Sequence, residues 1–188
     1  DVVGIVDWFL RNFAREQHNV LIFLPGSPEI NQMHESLQSS RSDGTSRGGP
    51  KWNLIPLHSQ IPLEEQQKVN IEAPAGSINV ILATNIAESS ITIGNTTSLI
   101  IDLGLQKQNS YDHERRVSSL QTNWASRASM EQRKGRTGRT CDGLVVRLMP
   151  YFAFTHEKVR EYDETESLRT CLDMLYLQVR DISERAFD

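Results

Sequence analysis

The densest group of chemistry-bearing side chains is the octet Gln132-Arg133-Lys134-Gly135-Arg136-Thr137-Gly138-Arg139, where glycines stand between arginines three residues apart. Glycine lets a backbone turn and approach a ligand closely. Arginines at this spacing present planar, permanently charged forks that can grip neighbouring phosphate oxygens bidentately. In phosphoryl transfer, such an arginine neutralises charge developing on the γ-phosphate, and a glutamine can orient the attacking water. Other chemistries find less support. The two cysteines, Cys141 and Cys171, have no CxxC and no histidine pair at ligand spacing beside them, so they read as reduced structural thiols. No G-x-x-x-x-G-K-[ST] loop is present to cradle phosphates and no D-E-x-H to hold magnesium. The absence of G-x-G-x-x-G after the first apolar run speaks against a dinucleotide-binding oxidoreductase.

Charge is distributed unevenly around this octet. The chain of 188 residues carries 20 basic and 24 acidic side chains, a net −4 that gives no hint of a polyanion binder. Yet Lys107 to Arg139 holds eight basic residues against three acidic, a local +5, while His156 to Asp188 holds nine acids against five bases. A basic central stretch joined to an acidic tail leaves room for a polyphosphate-binding surface behind the modest average. No run of apolar residues is long enough to span a membrane, and no leader pattern opens the chain, which starts at Asp1 as a piece of a longer protein would. A cytoplasmic location, including ribonucleoprotein granules, is the expectation, with the nucleus left open.

Positioning the octet requires a scaffold, and the patterning supplies one. Val2, Val6, Phe9, Leu10 and Phe13 form a helical stripe that stops near Gln17. Val20 to Leu24 is a short continuous apolar run, as in a strand covered on both faces. Ser27-Pro28 opens a helix with Ile30, Met33 and Leu37 on one side, and residues 39–50, made of Ser, Arg, Asp, Gly and Thr up to Pro50, read as a flexible loop. Further strands are expected at Trp52 to Leu57, Ile78 to Ala83, Leu99 to Ile101 and Leu144 to Leu148, with a helix opened by Pro62 between the first two. Strands alternating with helices imply an α/β architecture, a parallel sheet with helices on both faces, over residues 1–150. Leu168, Leu172, Leu175 and Val179 then predict a helical extension within 151–188 that packs onto or beyond the sheet.

The octet resembles motif VI of superfamily 2 helicases, and three further segments extend the resemblance in the family's order. Leu21 to Gly26 resembles motif IV of the DEAH-box branch, Pro56 to Pro62 with Gln66 to Val69 resembles motif IVa, and Ala83-Thr84-Asn85-Ile86-Ala87-Glu88-Ser89-Ser90-Ile91-Thr92-Ile93 resembles motif V. The chain therefore resembles the second RecA-like lobe of a DEAH-box (DExH) RNA helicase, and Glu29 to His34 resembles the tudor-domain spindle-E type within it. The resemblance implies Arg139 as arginine finger, Arg136 as a second γ-phosphate clamp and Gln132 at the γ-phosphate or lytic water. It also implies RNA contacts from Thr84, Asn85, His58, Ser59 and Gly26, and nucleotide contacts near Ser90, Thr92, Gly94 and Asn70. A base-separating β-hairpin is implied at 104–122, around Tyr111-Asp112-His113. The ligands so implied are ATP with Mg2+, held mainly by a preceding RecA-like lobe, and single-stranded RNA; ribonucleoprotein or small-RNA pathway proteins are the expected partners.

Two positions depart from the family's pattern. Asn70 stands where a phenylalanine usually stacks on adenine, and Gly94 where an aspartate usually lies near the ribose. Gly94-Asn95 as a simple turn in place of Asp-Gly is the other alignment. These departures favour a second reading, a catalytically weakened RNA-binding or scaffold lobe, which Gln132, Arg136 and Arg139 disfavour.

Overall fold

The computed structural model describes residues 1–42, 49–89, 91, 93, 96–112, 114–155 and 159–185. Helix α1 (Val2–Phe13) is capped by Asp1, whose carboxylate accepts the Val3 N–H at 3.1 Å, and buries Val6 and Leu10. It ends short of the expected Gln17, which instead takes a left-handed φ of 61° and donates its N–H to the Ser77 carbonyl at 2.9 Å. Five parallel strands follow along the chain: β1 (Asn19–Phe23), β2 (Lys51–Leu57), β3 (Ser77–Ala83), β4 (Thr97–Asp102) and, after the hairpin of β5 (Leu105–Asp112) and β6 (Val117–Trp124), β7 (Leu144–Arg147). The sheet order is β2-β3-β1-β4-β7. Helix α2 (Ser27–Ser42) follows β1, while α3 (Leu63–Gln66) with a 3-10 turn over Gln67–Asn70 joins β2 to β3. The single turn α4 (Ile86–Ser89) follows β3, and α5 (Arg127–Lys134) leads into the octet's glycines.

The continuous apolar runs form strands because both faces are covered. Val20, Ile22, Val80 and Leu82 pack with Val6, Leu10, Ile30 and Leu37 of α1 and α2. Their neighbours Leu21, Phe23, Ile81 and Ala83 pack on the opposite face with Val69, Ala87 and Ile93. Each such fully buried aliphatic or aromatic side chain is worth about 1.5–3 kcal/mol relative to exposure. Period-two burial on two faces therefore fixes the register more firmly than ladder hydrogen bonds netting about 1 kcal/mol apiece.

Three expectations need correction. The loop expected from 39 begins later, because α2 continues to Ser42. Ser39 there donates its hydroxyl to the Glu35 carbonyl at 2.9 Å and Ser40 to Asp7 at 3.2 Å, so a polar helix end is stabilised without apolar residues; 43–48 lie outside the described residues. The hairpin runs beyond 122 to Trp124 and starts from Gly104, whose φ of +70° and close approach to Met149 suit glycine. Finally, Leu168 belongs to a separate 3-10 turn (Glu166–Leu168), so the C-terminal stripe is not one helix. After α6 (Tyr151–Thr155), helix α7 (Leu172–Arg185) leaves Leu172, Tyr176, Leu177, Val179 and Ile182 exposed.

Candidate functional site

Where the parallel strands end, their following residues converge. Gly26 and Ser27 after β1, His58 and Ser59 after β2, and Thr84 and Asn85 after β3 line one groove of about 300 Å³. Ligands of open parallel sheets bind at this carboxyl edge because loops here diverge from a common rim. The groove is closed by Lys107 of β5 and Leu120 of β6. Thr84 spends its N–H on the Leu57 carbonyl at 3.1 Å, so what it offers a ligand is its hydroxyl. His58 Nδ1 is buried with no hydrogen-bond partner among the described residues.

The arginine segment is built on α5. Ser126 caps it by accepting the Ser129 N–H at 3.1 Å. Ser129, Met130 and Arg133 share its buried face, at i and i+3 or i+4 spacings. Arg133 is 1% exposed and bridges two carboxylates, Glu88 through Nε and Asp102 through Nη1, each at 2.8 Å. It also donates to the Leu105 carbonyl at 3.3 Å and lies 5.0 Å from the Phe23 ring centroid. Burial opposes the charge, but Asp102 and Glu88 outweigh it and hold the Arg133 pKa above the usual arginine value. Asp102 in turn accepts the Gly104 N–H at 2.8 Å, and Glu88 accepts the Ser129 hydroxyl at 2.7 Å. One guanidinium thus ties together α4, the end of β4, the base of the hairpin and α5.

Past α5 the chain turns through Gly135. Arg136 donates through Nε to the Glu88 carbonyl at 2.9 Å, with Nη2 reaching the same oxygen, and through Nη1 to the Ile91 carbonyl at 3.2 Å. These are carbonyls at the end of a helix, where a cation is favoured. Burial, followed by the nearby Arg139 charge, lowers the Arg136 pKa, with Glu88 opposing. Thr137 donates its hydroxyl to the Thr97 carbonyl at 2.5 Å, and Gly138 takes a φ of +74°, a turn that glycine makes without strain. Arg139 is exposed, with Nε on the Gly135 carbonyl at 3.0 Å, and Gln132 is exposed on α5.

The residues expected to contact RNA therefore meet in one groove, and Arg136 and Arg139 are near enough to repel electrostatically. Asn70 ends the 3-10 turn after α3, exposed and apart from the groove lining. Ser90, Thr92, Gly94 and His113 lie outside the described residues. Sequence reasoning missed the Arg133-Glu88-Asp102 cluster, although the spacing of Met130 and Arg133 on α5 carried the signal. It also missed Lys107 and Leu120, whose place depends on how the hairpin folds over the sheet.

Comparison with known proteins agrees with this geometry. Residues 4–141 match the family described as helicase conserved C-terminal domain. The chain is 38% identical over 181 residues to the human ATP-dependent RNA helicase DHX30, covering 96% of this chain and 15% of that protein. It is 40% identical over 168 residues to the human probable ATP-dependent RNA helicase DHX34, covering 89% of this chain and 14% of that protein. The solved Escherichia coli DEAH/RHA helicase HrpB superposes with a TM-score of 0.79 at 33% identity, over 95% of this chain and 21% of HrpB. With a parallel sheet presenting its motif residues at the carboxyl edge, and a family match over most of its length, the chain belongs to the helicase C-terminal domain family, as the second RecA-like lobe of the DExH-box branch.

Proposed function

We propose that the chain works as half of a shared ATPase in an RNA helicase, supplying RNA-backbone contacts and the arginines that act on the γ-phosphate. The observation that carries this reading is α4: Thr84 and Asn85 stand immediately before it, and its end is held by Arg136, three residues from Arg139. RNA-facing and phosphate-facing groups are thereby joined through one helical turn. Thr84, Asn85, His58, Ser59 and Gly26 hold RNA phosphates, which fix position without reading sequence. Arg139 neutralises charge on the transferred phosphoryl group, and Gln132 orients the attacking water. ATP lies between this lobe and a preceding one. Hydrolysis loosens the arginine-phosphate bridge, so the lobes shift along single-stranded RNA in the 3′ to 5′ direction. ATP is taken with Mg2+, which the preceding lobe would mainly hold and which would neutralise charge on the phosphates when bound.

The test is ATP turnover with and without single-stranded RNA. The intact protein is expected to show RNA-stimulated hydrolysis and the isolated 188-residue chain none. Turnover by the isolated chain that is lost on Arg139→Ala would overturn the shared-site reading. Residues 151–188 begin the next helicase-associated region, and the proposed place of action is the cytoplasm, with the nucleus left open and ribonucleoprotein or small-RNA pathway proteins as the proposed partners.

A second reading, a catalytically weakened RNA-binding lobe, is favoured by the exposed Asn70 amide in place of a stacking ring. If the lobe completes an active ATPase, Asn70 is expected to give weak nucleobase selectivity or reduced ATP affinity. In the intact protein kcat/KM for ATP and GTP will agree within about tenfold, the scale of one lost stacking contact; a strong ATP preference would contradict this.

A further inference from the structure

Resting on the RNA-binding reading of the groove, we propose that Lys107 is the cation that binds RNA phosphate there and that Glu29 is its built-in competitor. Lys107 is the one lysine or arginine among the described residues lining the groove, which is otherwise formed by backbone, hydroxyl, amide, imidazole and apolar groups. A polyanion passing through needs a counter-charge, and this lysine is already engaged: its Nζ lies 2.8 Å from Glu29 Oε2 on α2. The pair crosses the backbone at Gly26, where a Cβ would stand 2.8 Å from the lysine Cδ and Nζ and 3.0 Å from Glu29 Oε2. Glycine at this position therefore makes room for the ion pair as well as for RNA.

The charge balance sets the mechanism. Lys107 and Glu29 cancel, so the groove without RNA offers hydroxyls and amides but little net field. The side chains are 22% and 36% exposed, a part-buried pair that water still reaches from the groove, so its hold is modest. An RNA phosphate can take the lysine from Glu29 at little cost, releasing a counterion and leaving the glutamate to water. Glu29 thereby lowers affinity for RNA and eases release of each phosphate as the strand moves. A plain brace between hairpin and α2 would behave oppositely, since removing either partner would then loosen the groove.

The experiment measures fluorescence anisotropy of a labelled oligouridylate with the intact protein across a KCl series, for wild type, Lys107→Gln, Glu29→Gln and the double variant. Lys107→Gln is expected to weaken binding about tenfold, the scale of a charged hydrogen bond. It should also flatten the slope of log affinity against log salt by about 0.7, the value of one single-strand phosphate contact. Glu29→Gln is expected to tighten binding about threefold to fivefold, as the loss of a weak competing pair allows, and to do so much less in the Lys107→Gln background. Weaker or unchanged binding by Glu29→Gln, or an unchanged salt slope in Lys107→Gln, would overturn the proposal. Thr84→Ala separates this from the reading beneath it. Wild-type binding that falls with Thr84→Ala while the Lys107 and Glu29 variants miss their expected signs sinks the competitor alone, whereas absence of wild-type binding sinks both.

Discussion

Replacing Arg133 with methionine will cost about 3–5 kcal/mol of folding stability, the scale for removing one partner of a buried charge cluster. Methionine fills much of the volume, so packing is only a minor part of the loss. The loss comes from what remains: Asp102, 1% exposed at its side chain, and Glu88, at 12%, would face each other with no cation. Lysine will not rescue the variant fully, because an ammonium carries its three donors on a single nitrogen and lacks the planar fork whose separate nitrogens, Nε and Nη1, reach the two acids. Removing the whole cluster is different. A Glu88→Gln, Asp102→Asn, Arg133→Met triple variant leaves no buried charge, and the asparagine oxygen can still accept the Gly104 N–H. That variant is expected to regain most of the lost stability, since uncharged replacements of buried ion clusters are often neutral. Urea denaturation of the chain measures both. A single variant within about 1 kcal/mol of wild type, below the usual cost of an unpaired buried charge, would count against this account.

Arg139→Ala in the intact protein is expected to lower kcat for RNA-stimulated ATP hydrolysis by about 10³ to 10⁵, the range of arginine-finger removals, with RNA affinity nearly unchanged. The arginine is exposed and its bond to the Gly135 carbonyl is local, so little folding free energy rests on it. Arg136→Ala will give a different pattern. That guanidinium is committed to the Glu88 and Ile91 carbonyls, so its loss frees the end of α4 and weakens RNA binding together with turnover. Single-turnover kinetics beside anisotropy separates the two. Equal losses of RNA affinity in both variants would show that the arginines act together as a structural clamp, with no division of roles.

The strands were legible because a parallel sheet covered on both faces leaves an unmistakable trace, as in Val20 to Leu24. The polar end of α2 was not legible. Its helix is held by Ser39 and Ser40 hydrogen bonds instead of an apolar stripe, and a lack of hydrophobic residues resembled a loop. The motif residues could be named from their types and spacing, and the groove gathers five of them because the strand ends converge. What stayed hidden depends on tertiary placement. Arg133 read as one more phosphate-facing arginine, whereas the burial of α5 against β4 turns it inward. Lys107 and Leu120 come to the groove only because the hairpin folds back over the strand ends, which no local pattern encodes.

A helix of four residues is too short to persist by its own hydrogen bonds. The stiffness of α4 is therefore borrowed: Glu88 is gripped through its side chain by Arg133 and through its carbonyl by Arg136. If the chain works as proposed, the coupling between RNA and nucleotide crosses a span of roughly 6 Å, one turn long. Whatever draws Arg136 away from that carbonyl softens the joint itself, so under the proposed function one four-residue turn sets how tightly RNA binding and nucleotide binding are geared.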